Sequence, residues 1–185
     1  AEKTGLELTI AEAPAAEAIT LALDTAIANP EGYRLVVDAE GVTITGATAA
    51  GVFYGIQTLR KALPVVQGRE VQLPAVTVAD YPRFGYRGAH LDVSRHFFTV
   101  DSIKSFIDML ALHNMNRFHW HLTDDQGWRI QIPEYPKLTS VGAIRSGSFT
   151  SPGDGSKFFD DTEYGRGMYF TQDDLREIVA YAAER

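Results

Sequence analysis

A strand-then-helix alternation in the second half of the chain constrains its fold more than any other feature. Residues 86–93 read as a short strand. Thr99 then offers an N-cap, and Ile103, Phe106, Ile107 and Leu110 follow at the i, i+3, i+4, i+7 spacing of a buried helical face. Asn114 suits the left-handed turn that ends such a helix. Residues 117–123 form a second strand pattern. After a long loop, residues 124–170, Thr171 and Asp174 read as a capping box opening a helix with Leu175, Ile178, Val179 and Ala182 inward. Strand, helix, strand, loop, helix is the order of parallel βα units, so the expected class is α/β. Two units are too few. A parallel sheet needs both faces covered, and a closed barrel needs about eight strands. The natural protein is therefore expected to continue beyond Arg185.

The first half follows a different rule. Residues 6–11 and 19–26 alternate as half-buried strands do. Residues 33–38 and 42–45 form an expected hairpin across Asp38-Ala39-Glu40-Gly41, with Leu35, Val37, Val42 and Ile44 as its apolar positions. From Thr48 the period changes: Val52, Ile56, Leu59 and Leu63 fall at helical spacing, and Pro64 stops the run. A further strand is expected over 71–78. This describes a helix packed on a mostly antiparallel sheet, a small α+β domain over residues 1–82, with Asp80-Tyr81-Pro82-Arg83 as the junction to residues 83–185. Lys3-Thr4-Gly5-Leu6 reads as a helix end with a glycine stop, so a preceding segment is expected too.

Composition narrows the partners. The net charge is −7 and the basic residues are scattered, which argues against a nucleic-acid surface. No apolar run approaches the ~18 residues of a membrane span, and Ala1–Gly5 is not a signal peptide. With no cysteine, disulfides and thiolate chemistry are excluded. No cofactor is expected. Export, periplasmic or secreted, is favoured over a cytoplasmic location.

The chemistry gathers in two stretches, Arg87-Gly88-Ala89-His90-Leu91-Asp92-Val93-Ser94-Arg95-His96 and Phe118-His119-Trp120-His121-Leu122-Thr123-Asp124-Asp125-Gln126-Gly127-Trp128-Arg129. Each runs through a strand and off its carboxyl end, where parallel α/β barrels build their sites. In the second strand Phe118, Trp120 and Leu122 share one face, and Arg117, His119, His121 and Thr123 the other. A polar face on a strand of this type is unexpected, because buried histidine and aspartate must be paired. The bland explanation is a satisfied polar network. Asp124, Asp125 and Trp128 directly after the strand favour a site instead. An aspartate there can orient a histidine or tune a neighbouring acid, and Trp128 can wall a sugar ring. Arg95 supplies a fork of donors for hydroxyls or a carboxylate.

These stretches resemble glycoside hydrolase family 20, the β-N-acetylhexosaminidases. The resemblance extends to Glu134-Tyr135-Pro136-Lys137-Leu138, to the helix Tyr169-Phe170-Thr171-Gln172-Asp173-Asp174-Leu175-Arg176-Glu177-Ile178-Val179-Ala180-Tyr181, and to Gly51-Val52-Phe53-Tyr54-Gly55-Ile56-Gln57-Thr58-Leu59 in the first domain. It implies a small α+β domain followed by the start of a (β/α)8 TIM barrel, about two βα units of it. It implies that Arg95 binds hydroxyls of a terminal N-acetylhexosamine, that Asp124 tunes the catalytic acid, and that His121, Asp125 and Trp128 lie beside the sugar. The implied partners are N-acetylhexosamine-terminated glycans. The family's mechanism uses the substrate's own acetamido group, oriented by an aspartate, with the following glutamate as acid. No adjacent Asp-Glu pair occurs in this chain, and Asp161-Thr162-Glu163 lacks the adjacency. The isolated chain is thus expected to be inactive.

Two other readings compete. His119-x-His121 with nearby aspartates would suit a metal-dependent hydrolase, although the resemblance implies no metal. A non-catalytic module that binds N-acetylhexosamine glycans is the other. Exposed strand edges on an incomplete barrel leave dimerisation, swapping or association with a remainder open.

Overall fold

A computed structural model describes residues 8–12, 18–64, 71–149, 159–160 and 165–185. The chain divides into two compact units, residues 1–85 and 86–185.

The first unit is a four-stranded sheet carrying one helix. Its elements are β1 (Ala18–Leu23), β2 (Tyr33–Asp38), β3 (Gly41–Gly46), α1 (Ala49–Ala62) and β4 (Val76–Asp80). The sheet order is β1-β3-β2-β4. The β2–β3 hairpin pairs Asp38 with Gly41, and β4 runs antiparallel to β2, whereas β1 joins β3 in parallel. The expected hairpin and the mostly antiparallel sheet are present. Strand alternation buries Tyr33, Leu35 and Val37 on one side of β2, and Ile44 on β3 joins Tyr33 and Leu35 in the core with Tyr54 and Leu59 of α1.

Several expectations for this unit need correction. Residues 8–11 form no strand, and Leu8 and Ile10 are exposed; residues 6 and 7 lie outside the described ones. The last strand begins at Val76 rather than at residue 71. The helix is capped by Thr48 as expected, its hydroxyl accepting from the Ala50 N–H, but the buried face is Gly51, Tyr54, Gly55, Gln57 and Leu59. Val52 and Ile56 pack only at its margin. The reason is contact distance: α1 lies so close to the sheet that glycine decides which side faces inward. A Cβ on Gly51 would stand 2.2 Å from the Gly32 carbonyl oxygen, and one on Gly55 would stand 2.4 Å from Ile44 Cγ2.

The second unit contains β5 (Gly88–Asp92), α2 (Val100–Leu112), β6 (Arg117–His121), β7 (Thr123–Asp124), β8 (Gly127–Trp128), α3 (Lys137–Ser140), β9 (Ser148–Phe149), β10 (Phe159–Asp160) and α4 (Gln172–Ala183). Strands β5 and β6 pair in parallel, Gly88 with Arg117 through Asp92 with His121. Helix α2 begins at the Thr99 cap and buries Ile103, Ile107, Leu110 and Ala111, with Phe106 only half-buried. Asn114 has φ 57°, the expected left-handed stop. Helix α4 opens on the Thr171–Asp174 capping box and buries Ile178, but Val179 is exposed rather than inward, and Tyr181 packs in its place. The Tyr181 hydroxyl donates to Asp108 on α2, and Lys104 of α2 pairs with Glu177, which fixes the phase of α4 against α2. The second strand ends at His121; Thr123 belongs to the β7–β8 hairpin. One core holds the unit together: Val93, Ile103, Ile107, Phe170 and Ile178, with Phe118, Trp120 and Leu122 packed against it.

Gly51→Ala tests the close helix–sheet contact. Alanine favours an isolated helix by about 1 kcal/mol, yet here the methyl meets backbone that cannot move aside, so a net loss of roughly 1–3 kcal/mol is expected. Urea unfolding of the chain measures it, and a stabilised variant would contradict this packing.

Candidate active site

At the carboxyl ends of β5 and β6 four side chains converge. Asp92, the last residue of β5, caps the turn that follows: its Oδ1 accepts the N–H groups of Ser94 at 2.9 Å and Arg95 at 3.0 Å. That turn swings Arg95 back over the strand ends, where its Nη1 donates to Asp92 Oδ2 at 2.9 Å and reaches Asp124 Oδ2 at 2.6 Å. His121, paired with Asp92 in the ladder, brings Nε2 to 2.9 Å from Asp124 Oδ2 and 3.1 Å from Arg95 Nη1. Guanidinium can only donate and an ionised carboxylate can only accept, so His121 Nε2 makes one of these two hydrogen bonds at a time, its tautomer deciding which.

The charges follow from this geometry. The Asp125 N–H at 2.8 Å, the His121 ring and the Arg95 charge hold the Asp124 carboxyl down to about 2. Burial alone would raise Asp92, but the N–H groups of Arg95 and Ser94 and the Arg95 guanidinium outweigh it and lower its pKa. Two ionised carboxylates hold one side of the Arg95 head, while the Arg95 side chain remains 42% exposed. An exposed guanidinium edge held in place by its other side is a preformed donor for hydroxyl oxygens.

Of the residues singled out from sequence, the fold brings Arg95, His121 and Asp124 into direct contact. Asp125 contributes its backbone N–H, and the residue itself is exposed. Trp128 stands across the small hairpin from Thr123; its indole N–H donates to the Ile130 carbonyl and its amide to Gly142, so the ring is pinned by its own loop. Asp161 and Glu163 lie outside the described residues. Sequence reasoning passed over Asp92 as a site residue, although the Asp92-x-x-Arg95 spacing of an Asx turn was the available signal. It also passed over Arg129. That side chain is fully buried, donating to the carbonyls of Ala143 at 2.7 Å, Met168 at 2.9 Å and Ser94 at 3.2 Å. Nothing in its position in the sequence announced burial.

A second group lies on the same face of β5 and β6. His90 and His119 are ladder partners, and His121 follows two residues on. The ligating nitrogens of these three rings all lie within 4.8 Å of one another, the one group among the described residues with the composition and spacing to hold a metal ion.

Residues 84–185 match the model of the glycosyl hydrolase family 20 catalytic domain, and residues 1–81 match domain 2 of the same family. The chain belongs to glycosyl hydrolase family 20. It is 46% identical to a β-hexosaminidase of Porphyromonas gingivalis over 97% of its own length, which is 22% of that relative. Among solved structures it is similar to the family 20 β-N-acetylhexosaminidase of Streptomyces coelicolor, with 40% identity and a TM-score of 0.76 over 92% of this chain and 33% of that one. It is similar also to the family 20 exo-β-N-acetylglucosaminidase of Vibrio harveyi in complex with N-acetylglucosamine, with 32% identity and a TM-score of 0.75, over 90% of this chain and 25% of that one. The chain thus spans about a quarter of the length of such relatives. Membership of family 20 makes the parallel βα units of residues 86–185 the start of a TIM barrel, with the domain 2 segment before it in sequence. The Arg95 cluster accordingly occupies the carboxyl end of the family 20 barrel strands, the end that carries barrel active sites.

The lowered carboxylates predict a pH dependence. Folding holds Asp124 and Asp92 below the unfolded value of about 3.9, so between about pH 4 and pH 2 the unfolded chain binds more protons. Their contribution is complete above the unfolded value and is lost as pH falls through the folded ones. The melting temperature should therefore drop over that range, and Asp124→Asn should flatten the slope. A carboxyl NMR titration placing Asp124 at an ordinary value would contradict the cluster.

Proposed function

We propose that the chain supplies the sugar-gripping side of an exo-acting β-N-acetylhexosaminidase site that removes terminal N-acetylglucosamine or N-acetylgalactosamine from glycans. Family membership supports the reaction class. The single observation that carries the reading is the Asp92–Arg95–His121–Asp124 cluster at the barrel's carboxyl end, an exposed guanidinium edge backed by ionised carboxylates. In this reading Arg95 binds ring hydroxyls of the terminal sugar, and Trp128 offers an apolar face beside it. Asp124, kept ionised, sets the field felt by the catalytic acid. The bond-breaking step is substrate-assisted: the acetamido oxygen attacks the anomeric carbon, an aspartate orients that group, and the neighbouring glutamate protonates the leaving oxygen. The chain has no adjacent Asp-Glu pair, so it does not turn over substrate alone.

Release of chromophore from an aryl N-acetyl-β-glucosaminide tests this. The chain by itself should match the blank. A chimera completing its barrel with the remaining strands of the P. gingivalis relative should cleave. In that chimera Arg95→Ala should lower kcat/KM by about 10–100-fold, the loss of a charged hydrogen bond. Turnover by the chain alone would overturn the assignment of the catalytic pair. An inactive but folded chimera that still binds N-acetylglucosamine would favour a glycan-binding role.

A further inference from the structure

We propose that His90, His119 and His121 form a site for one divalent transition-metal ion, which clamps β5 to β6. The site shares His121 with the Arg95 cluster, but zinc binding is read without the hydrolase reaction, so the two readings fail separately. Parallel pairing places His90 directly beside His119, and the period-2 alternation of β6 returns His121 to the same face. The rings meet edge to face, with centroids 4.6 Å apart for His90 and His119, 5.5 Å for His90 and His121, and 6.2 Å for His119 and His121. Tetrahedral coordination at about 2.0–2.1 Å separates donor nitrogens by roughly 3.3–3.4 Å. Nitrogens already within 4.8 Å reach that spacing by small side-chain rotations.

The surroundings of the third ring suit a ligand. Asp124 Oδ2 lies 2.9 Å from His121 Nε2. A carboxylate that holds one nitrogen of an imidazole fixes its tautomer and raises the basicity of the other, the usual support of a metal-bound histidine. Three imidazoles without a thiolate suit zinc, nickel or copper, whereas calcium and magnesium require oxygen ligands. His90 and His119 stand two residues before Asp92 and His121 along their strands, so the ion sits deeper than Arg95 and Asp124. Its role is cross-strand support rather than hydrolysis.

Calorimetric titration of the chelator-treated, tag-free chain with zinc chloride tests the proposal. One ion should bind per chain. His90→Ala and His119→Ala should each weaken binding at least tenfold, and Asp124→Asn by about 10–100-fold. A double variant of the remaining histidines, His96→Ala with His113→Ala, should bind as the parent does. Cobalt should show the visible absorption of tetrahedral coordination in the parent and lose it in His119→Ala. Because His90 and His119 are exposed, circular dichroism should show these variants folded. No zinc binding, or binding unchanged by His90→Ala and His119→Ala, would overturn the site. If a variant failed to fold, a cobalt spectrum of the parent without tetrahedral bands would do the same.

Discussion

The buried guanidinium of Arg129 holds the loop structure of the second unit together. It draws carbonyls from three separate segments, Ser94 after β5, Ala143 after α3 and Met168 before α4, onto one planar donor. A buried charge is tolerable only when its hydrogen bonds are made. Those carbonyls must therefore stay where they are, and the chain between them is confined. Neighbouring contacts have the same tolerance: a Cβ on Gly127 would stand 2.7 Å from Arg129 Nη2. Arg145 adds to the tie by donating to the Ser94 and Gln126 carbonyls. The turn that carries Arg95 is pinned on one side by Asp92 and on the other by these arginines.

This explains how an exposed guanidinium can be preorganised. Surface ion pairs contribute little because two long side chains must be ordered at once. Here the backbone of residues 93–95 is already fixed, by the Asp92 turn and by Ser94 Oγ donating to the Gly127 carbonyl. The Arg95 head then meets Asp92, Asp124 and His121 with little left to order. The two faces of β6 divide the work. Phe118, Trp120 and Leu122 anchor the strand in the core, and the same alternation presents His119 and His121 on the other side.

Local rules carried much of the reading. The caps at Thr48, Thr99 and Thr171, the left-handed Asn114 and the β2–β3 hairpin rest on interactions within a few residues, which is why they were legible. Arg95, His121 and Asp124, which the fold brings into contact, were singled out from two separate stretches, residues 91–96 and 118–129. The phase of α1 was not, since apolar spacing pointed to Val52 and Ile56 while the close approach of Gly51 and Gly55 to the sheet turned another side inward. Val179 failed for the same kind of reason: α4 is oriented by Tyr181 and Glu177 against α2, partners more than 70 positions away in sequence.

By itself the sequence determined the longer helices, most of the strands, the parallel βα order and the family, because periodicity, capping and motif are properties of short windows. Tertiary structure alone decided three things. It brought His121 and Asp124 to the Asp92–Arg95 pair, it buried Arg129 as the tie between loops, and it gathered His90 with His119 and His121. Each depends on pairing between segments well apart in the chain. The register that sets His90 beside His119 comes from the β5–β6 ladder, which no single stretch of sequence specifies.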